Sequence, residues 1–219
     1  KFWELQRTYA DNRRVVCLQE YINTTDMLFD DVVAMTELPP ERPIDFCSID
    51  IDGLDLEVFE TFERYLPSVV CIEGGQMLHP FHPRVPAEIA EKNIQQSLST
   101  MNEAFTEKGY RLICSYQDSF FVKEEFYHLF DVSKSLMNLY LDGVAALPKI
   151  PWITEKLEEV GLSNSILDAV RAFSQFEFLK ARAGSTVDKM AWVDNQYEAI
   201  LQTLALFREE DHEALRAQI

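Results

Sequence analysis

The stretch Ile44-Asp-Phe-Cys-Ser-Ile-Asp-Ile-Asp-Gly53 decides the fold of this chain. Its apolar run ends in two carboxylates, Asp50 and Asp52, which are separated by one residue and followed by Gly53. An apolar pattern with helical spacing begins at Asp55. This succession is typical of a buried strand that delivers acidic side chains to the carboxyl edge of a sheet and then turns into a helix. In open α/β sheets, ligands bind at that edge.

The same pattern returns over residues 67–75, in the sequence Pro-Ser-Val-Val-Cys-Ile-Glu-Gly-Gly. Here the apolar run ends in the carboxylate of Glu73, again followed by glycine. Because the carboxyl ends of neighbouring parallel strands meet at one edge, Asp50, Asp52 and Glu73 are expected to lie together there. The sequence therefore predicts a site at the rim of the sheet.

Composition excludes several classes of function. The chain of 219 residues carries a formal net charge of -17, which argues against nucleic-acid binding because phosphates require a clustered positive surface. No run approaches the ~20 apolar residues of a membrane helix, so no membrane partner is expected. The four cysteines, Cys17, Cys47, Cys71 and Cys114, lie in apolar runs without metal-type spacing. They are interpreted as reduced core thiols of a cytoplasmic protein.

The predicted elements alternate along the first part of the chain. They are a helix at 2–9, a strand at 14–18, a helix from the capping residues 23–26 to 38, the central strand at 44–49, a helix at 55–66, a strand at 67–73, a helix at 93–108, and strands at 110–116 and 119–123. This order predicts an α/β fold, a mostly parallel sheet with covering helices that closes in an antiparallel hairpin. The proline-interrupted segment 74–86 is predicted to be a loop that leaves the same edge as Glu73 and lies over the site.

From residue 131 the strand signals stop, and helices are predicted at 133–144, 151–160, 164–182 and 186–219. The chain is therefore divided into an α/β domain of residues 1–130 and a helical region of residues 131–219. The last helix carries an apolar seam formed by Met190, Val193, Tyr197, Ile200, Leu204 and Phe207. Such a seam either packs within a bundle of the same chain or joins copies into a homo-oligomer.

Three pieces of sequence resemble the FkbM-type methyltransferases, relatives within the class I S-adenosylmethionine-dependent superfamily. They are the strand ending in Asp50-Ile-Asp-Gly53, the strand ending in Glu73, and Lys108-Gly-Tyr-Arg-Leu112 leading to Ser119-Phe-Phe-Val-Lys123. The resemblance covers residues 1–130. It implies a Rossmann-like methyltransferase sheet whose last strand inserts antiparallel to the others. It also implies S-adenosylmethionine as cofactor and methylation of an oxygen of a small-molecule or sugar acceptor.

The N-terminal part departs from that family. Laid on its fold, Lys1 falls in the second helix, ahead of which the family has a strand, a glycine-rich turn and a second strand. Those elements cradle the methionine part of the cofactor and hold its ribose. They are expected either to precede Lys1 in a longer parent protein or to be missing, in which case the cofactor is not held in the usual way.

Methyl transfer from a sulfonium is an in-line displacement that requires alignment of donor and acceptor and, for a hydroxyl acceptor, removal of its proton. Asp50, Asp52 and Glu73 are the candidates to act as base, to bind acceptor hydroxyls, or to hold a divalent cation such as Mg²⁺. The competing structural interpretation is that Asp50 or Asp52 caps the following helix while Gly53 makes the turn.

Residues after the earlier strand are candidates for the cofactor. In the resembled fold this position contacts the adenine end, which implies Gln19, Glu20 and Asn23, with Gly53 as a further cofactor-binding candidate. Asn23 has an alternative role as a helix N-cap only.

Two histidines lie in the loop after Glu73, in Leu78-His-Pro-Phe-His-Pro83. His79 or His82 is a candidate catalytic base because imidazole titrates near neutral pH. A zinc site is disfavoured, since no cysteine or third histidine lies nearby in the sequence. The alternative is a pair of solvent-facing loop residues.

Two other functions compete with methyl transfer. One is a non-catalytic methyltransferase-like module whose tail, residues 131–219, serves oligomerisation or partner docking. The other is a haloacid-dehalogenase-type phosphatase, because a strand followed by Asp-x-Asp-Gly also opens that site, with Asp50 as nucleophile and Asp52 as acid. Against the phosphatase, Leu54 stands where that family usually has threonine.

Overall fold

The structure is a computed structural model, and it describes residues 1–36, 38–39, 41–75, 80–81, 83–90, 95–132 and 135–146. In chain order the elements are α1 (Phe2–Tyr9), α2 (Phe29–Ala34), β1 (Phe46–Ile49), α3 (Asp55–Glu60), β2 (Val69–Glu73), α4 (Ala87–Ala90), α5 (Leu98–Glu107), β3 (Tyr110–Ser115), β4 (Asp118–Lys123), a 3-10 helix (Glu124–Leu129) and α6 (Leu136–Ala146). No helix within these ranges combines the length and apolar character needed to cross a bilayer. The helices predicted at 151–160, 164–182 and 186–219 lie outside the described residues.

The strands form one mixed four-stranded sheet in the order β1-β2-β4-β3. β1 and β2 are parallel, with Ile49 opposite Ile72. β4 lies antiparallel between β2 and β3, and the β3–β4 pair is the predicted hairpin. The α/β fold expected from the sequence is confirmed at this level. Among the described strands, β1 lies at an edge, although the sequence placed it at the centre.

A row of stacked phenylalanine rings forms the centre of the core. The Phe105 ring of α5 stacks on Phe59 of α3 at 3.6 Å and on Phe121 of β4 at 3.8 Å. Phe62 follows Phe59 in a tilted arrangement and stacks on Phe29 of α2 at 3.8 Å. Because buried aromatic rings remove large apolar areas from water, this row joins four elements into one core.

The core also includes α6. Met137, Leu139 and Tyr140 are buried in the same apolar cluster as Phe105. The predicted division at residue 130 stays a prediction, and the core contains residues from both sides of it.

Two predicted elements differ near the N-terminus. The strand expected at 14–18 is not formed, and the Val16 side chain is exposed. A strand makes no hydrogen bonds within itself, and none of the described strands pairs with this segment. The helix expected from 23–26 to 38 is shortened to α2, and Met35, which was expected to point inward, is exposed.

The other two helices are shorter because buried polar side chains set their ends. α3 ends at Glu60, short of the expected Leu66, because the Asp30 carboxylate accepts the N–H groups of Glu63, Arg64 and Tyr65 at 2.8–3.2 Å. α5 begins at Leu98, after the N-cap Ser97, and not at residue 93. Gln95 and Gln96, directly before Ser97, are not helical, and their side chains are buried.

Candidate functional site

The three predicted acidic residues converge at one edge of the sheet. Asp50 directly follows β1, Asp52 lies in the turn after it, and Glu73 ends β2. One carboxylate oxygen of each residue lies within 4.8 Å of those of the other two. Because the parallel register of β1 and β2 brings their ends together, the predicted convergence is confirmed. The chemical roles of these residues stay predictions.

The turn after β1 is held by Asp55, whose side chain is fully buried. Asp55 Oδ1 accepts the N–H of Ile51 at 3.1 Å, and Oδ2 accepts the N–H of Gly53 at 2.9 Å. These bonds stabilise a strained turn, since Asp52 has a positive φ of 58°. The N-cap of α3 is Leu54, without a side-chain cap. The structure therefore does not support the interpretation that Asp50 or Asp52 caps this helix.

Gln95 is a site residue that the sequence did not indicate. Its side chain is buried, and Nε2 donates to Glu73 Oε2 at 2.7 Å and to Asp55 Oδ2 at 3.2 Å. The sequence placed Gln95 in the first turn of a helix, where a glutamine gives no signal of its own. The surrounding stretch, residues 91–100, is mostly polar, so the sequence contained no sign that this glutamine is buried.

Asp118 adds a further carboxylate to this edge. It lies directly opposite Glu73 in the β2–β4 register. Burial raises the pKa of Asp118, and the neighbouring charges of Asp50 and Asp55 raise it further. The edge therefore concentrates negative charge, and a cation or a hydrogen-bond donor is the complementary ligand.

A groove of about 550 Å³ lies beside the acidic edge. It is lined by residues 20–23, which follow the segment predicted as a strand at 14–18, and by residues of the β1–α3 region. The lining residues are Glu20, Tyr21, Ile22, Asn23, Ile51, Asp52, Leu54 and Val58. Asp52 belongs both to this groove and to the acidic edge. The structure thus brings the predicted cofactor residues Glu20 and Asn23 beside one of the predicted catalytic residues.

The other predicted cofactor residues are placed differently. Gln19 is exposed, and Gly53 is buried within the turn; neither is among the described residues that line the groove. Asn23 lines the groove, but its Oδ1 accepts the N–H groups of Thr25, Asp26 and Met27. These bonds give Asn23 a structural role in a turn, close to the capping alternative.

His79 and His82 lie outside the described residues, so their predicted role as base stays a prediction. The described parts of the loop pack against helices. The carbonyl of Pro80 accepts the N–H of Ser99 at 2.8 Å, and Arg84 forms a bidentate ion pair with Glu60 at 2.6–2.7 Å. These contacts attach residues 80 and 84 to α5 and α3.

Comparison of the chain with protein-family models, with curated proteins and with solved structures finds no significant match.

Proposed function

We propose that this chain forms part of a class I S-adenosylmethionine-dependent methyltransferase that methylates an oxygen of a small-molecule acceptor such as a sugar. The strand order carries the proposal. β4 lies antiparallel between β2 and β3, beside the parallel β1–β2 pair, which is the insertion characteristic of the resembled fold. A fold alone does not specify a reaction, so the proposal also needs the site.

The groove fits the nucleoside part of the cofactor. Its volume of about 550 Å³ is ordinary for a small-molecule site. The side chains of Ile22, Leu54 and Val58 offer apolar surface to a purine, and the carboxylates of Glu20 and Asp52 can accept hydrogen bonds from ribose hydroxyls. When bound, S-adenosylmethionine supplies an electrophilic methyl group on its sulfonium.

The carboxylates at the rim bind the acceptor and take its proton. A hydroxyl group bound between Asp50, Asp52 and Glu73 would donate its hydrogen bond to one carboxylate, which then takes the proton as the oxygen attacks. Gln95 fixes the orientation of Glu73 through its 2.7 Å bond. The chain's contribution is thus alignment of the acceptor oxygen and removal of its proton.

The same three carboxylates also fit a divalent cation in donor chemistry, since magnesium and calcium prefer oxygen ligands. Asp50, Asp52 and Glu73 would hold it, and its charge would lower the pKa of the acceptor hydroxyl. We propose the cytoplasm as the setting of this reaction, with no nucleic acid or membrane as partner. Homo-oligomer formation through the C-terminal helices stays a prediction.

Isothermal titration calorimetry of the chain with S-adenosylmethionine and with S-adenosylhomocysteine tests the proposal. The Glu20→Gln and Asp52→Asn variants are each expected to bind about 10-fold more weakly, because each loses a charged hydrogen-bond acceptor. The exposed Glu125, on the 3-10 helix, provides the control Glu125→Gln, which should bind like the wild type.

Transfer of a labelled methyl group to a panel of sugars and hydroxylated small molecules then identifies the acceptor. Because the elements that hold the cofactor in the resembled fold lie ahead of Lys1, the same titration is made with a chain extended upstream. An extended chain that binds neither cofactor form contradicts the enzyme proposal and favours the non-catalytic module.

A further inference from the structure

Gln95 lies in the short segment before α5, and only 3% of it is exposed. Its Nε2 donates to Glu73 Oε2 at 2.7 Å and to Asp55 Oδ2 at 3.2 Å. One amide group therefore joins two carboxylates from different elements, Asp55 at the start of α3 and Glu73 at the end of β2. Hydrogen bonds to ionised acceptors are stronger than those between neutral groups.

The bond to Asp55 connects Gln95 to the turn that carries Asp52. The carboxylate that receives the Gln95 amide also accepts the N–H groups of Ile51 and Gly53 at 3.1 and 2.9 Å. Loss of the Gln95 amide would leave Asp55 free to reorient, which would weaken both backbone bonds. The turn would then lose the restraint that keeps Asp52 at its positive φ.

The backbone beside Gln95 is fixed against the loop that follows Glu73. The N–H of Gly75 donates to the carbonyl of Gln96 at 3.2 Å. Gly74 has a φ of 121°, and a Cβ at this position would lie 3.0 Å from the Cβ of Gln95. A glycine at residue 74 therefore permits the close approach that brings the Gln95 amide to Glu73.

We propose that Gln95 is a positioning residue of this site. It connects the turn that carries Asp52 to the end of β2, which carries Glu73, so that both carboxylates face one bound small molecule. The identity of that molecule rests on the proposed function. The coupling of the turn to the end of β2 is a property of the chain itself, and it can be measured without any ligand.

The neighbouring Gln96 provides a matched control. It is as buried as Gln95, with 2% exposed, and it also makes side-chain hydrogen bonds. Its partners are the backbone of Val85 and the carboxylate of Glu57, away from the acidic edge. Gln95→Met and Gln96→Met therefore remove similar polar groups from similar surroundings. Only Gln95→Met removes the hydrogen bonds that join Asp55 to Glu73.

The experiment compares these two variants by hydrogen exchange and by calorimetry. In Gln95→Met, the backbone amides of Ile51 and Gly53 should exchange about tenfold faster than in Gln96→Met, after correction for global stability. The affinity for S-adenosylmethionine should fall about tenfold in Gln95→Met and stay at the wild-type value in Gln96→Met.

Equal exchange rates in the two variants overturn the inference, as does faster exchange with unchanged affinity. Absence of S-adenosylmethionine binding by a wild-type chain extended upstream of Lys1 overturns the proposed function alone, and the exchange rates still decide the role of Gln95. If Gln95→Met does not fold, Gln95→Asn replaces it. Its shorter amide cannot span both carboxylates, so wild-type exchange rates in that variant also overturn the inference.

Discussion

At the scale of single residues, substitutions at two glycines with positive φ allow the cost of backbone strain to be measured apart from that of steric crowding. Gly75, near the site, has a φ of 93°, and a Cβ there would lie 2.8 Å from Ser119 Oγ and 2.9 Å from Leu98 Cδ1. Gly109, after α5, has a φ of 81°, and a Cβ there would have no neighbour within 4 Å. Gly109→Ala is expected to lower the free energy of unfolding by about 1–2 kcal/mol, through backbone strain alone.

Gly75→Ala should lower the free energy of unfolding by about 3–4 kcal/mol, because steric overpacking adds to the same backbone strain. Urea unfolding followed by circular dichroism measures both values. Equal costs for the two variants would show that the backbone at the end of β2 relaxes around the added methyl group.

The carboxyl of Asp118 gives a prediction about pH. Its pKa is raised by burial and by Asp50 and Asp55, so the folded state binds this proton more tightly than the unfolded state. Ionisation therefore costs stability as pH rises, and the cost vanishes below the unfolded carboxyl pKa of about 3.9. Asp118→Asn should raise Tm by about 1–3 °C at pH 8 and leave it unchanged near pH 3.5.

The exposed Asp45, at the opposite end of β1, provides the control for this titration. Asp45→Asn removes the same formal charge away from the acidic edge. If its Tm changes with pH as that of Asp118→Asn does, the effect belongs to net charge and not to the acidic edge.

Which site residues the sequence could reveal depends on whether the local sequence pattern marks them. Asp50, Asp52 and Glu73 were predictable because each directly follows an apolar run, and parallel pairing then brings the ends of the runs together. Gln95 and Asp118 were not, because neither directly follows an apolar run, and their contacts depend on tertiary packing and on the register of a strand pair. Local pattern contains no information on such contacts.

At the scale of secondary structure, the end of α3 depends on a residue in α2. Asp30 is buried, and its carboxylate accepts three backbone N–H groups between residues 63 and 65. Asp30→Ala should lower the free energy of unfolding by about 2–4 kcal/mol, because several buried donors lose their charged acceptor.

Asp31 is the matched control because it is adjacent, half exposed and also near Arg64. Asp31→Ala should cost about 1 kcal/mol or less, as expected for an exposed ion pair and a long capping bond. Urea unfolding compares the two variants. A similar decrease in the free energy of unfolding for both variants would mean that the hydrogen bonds from the N–H groups of residues 63–65 to Asp30 contribute little beyond the effect of a surface charge.

The same contact explains why the predicted end of α3 was wrong. Leu56, Phe59 and Phe62 keep helical spacing, which predicted a helix as far as Leu66. Phe62 is buried as expected, but the chain has already left the helix because Asp30 satisfies the N–H groups that follow. Apolar periodicity reports which side chains are buried, and polar partners from elsewhere in the chain decide where a helix ends.

At the scale of the whole molecule, alternation of elements was enough to predict the α/β class and the closing hairpin. It was not enough to predict the sheet order, because the insertion of β4 between β2 and β3 depends on packing between distant segments. The stacked phenylalanine rings are a further case. Their partners come from four elements, so the sequence indicates that each is buried but not which ring it meets.

The net charge of -17 leads to a prediction that separates general screening from cation binding. Self-repulsion destabilises a compact, highly charged chain, so adding NaCl should raise Tm in the wild type and in Asp52→Asn alike. MgCl₂ at matched ionic strength should raise Tm further in the wild type only, if Asp50, Asp52 and Glu73 bind the ion. At about 100 times the dissociation constant, binding adds about 2.7 kcal/mol, or about 5–10 °C. An equal rise in Tm with Mg²⁺ in both proteins would mean that the ion acts only by screening charge. Removal of the proton from the acceptor hydroxyl would then depend on the carboxylates without a cation.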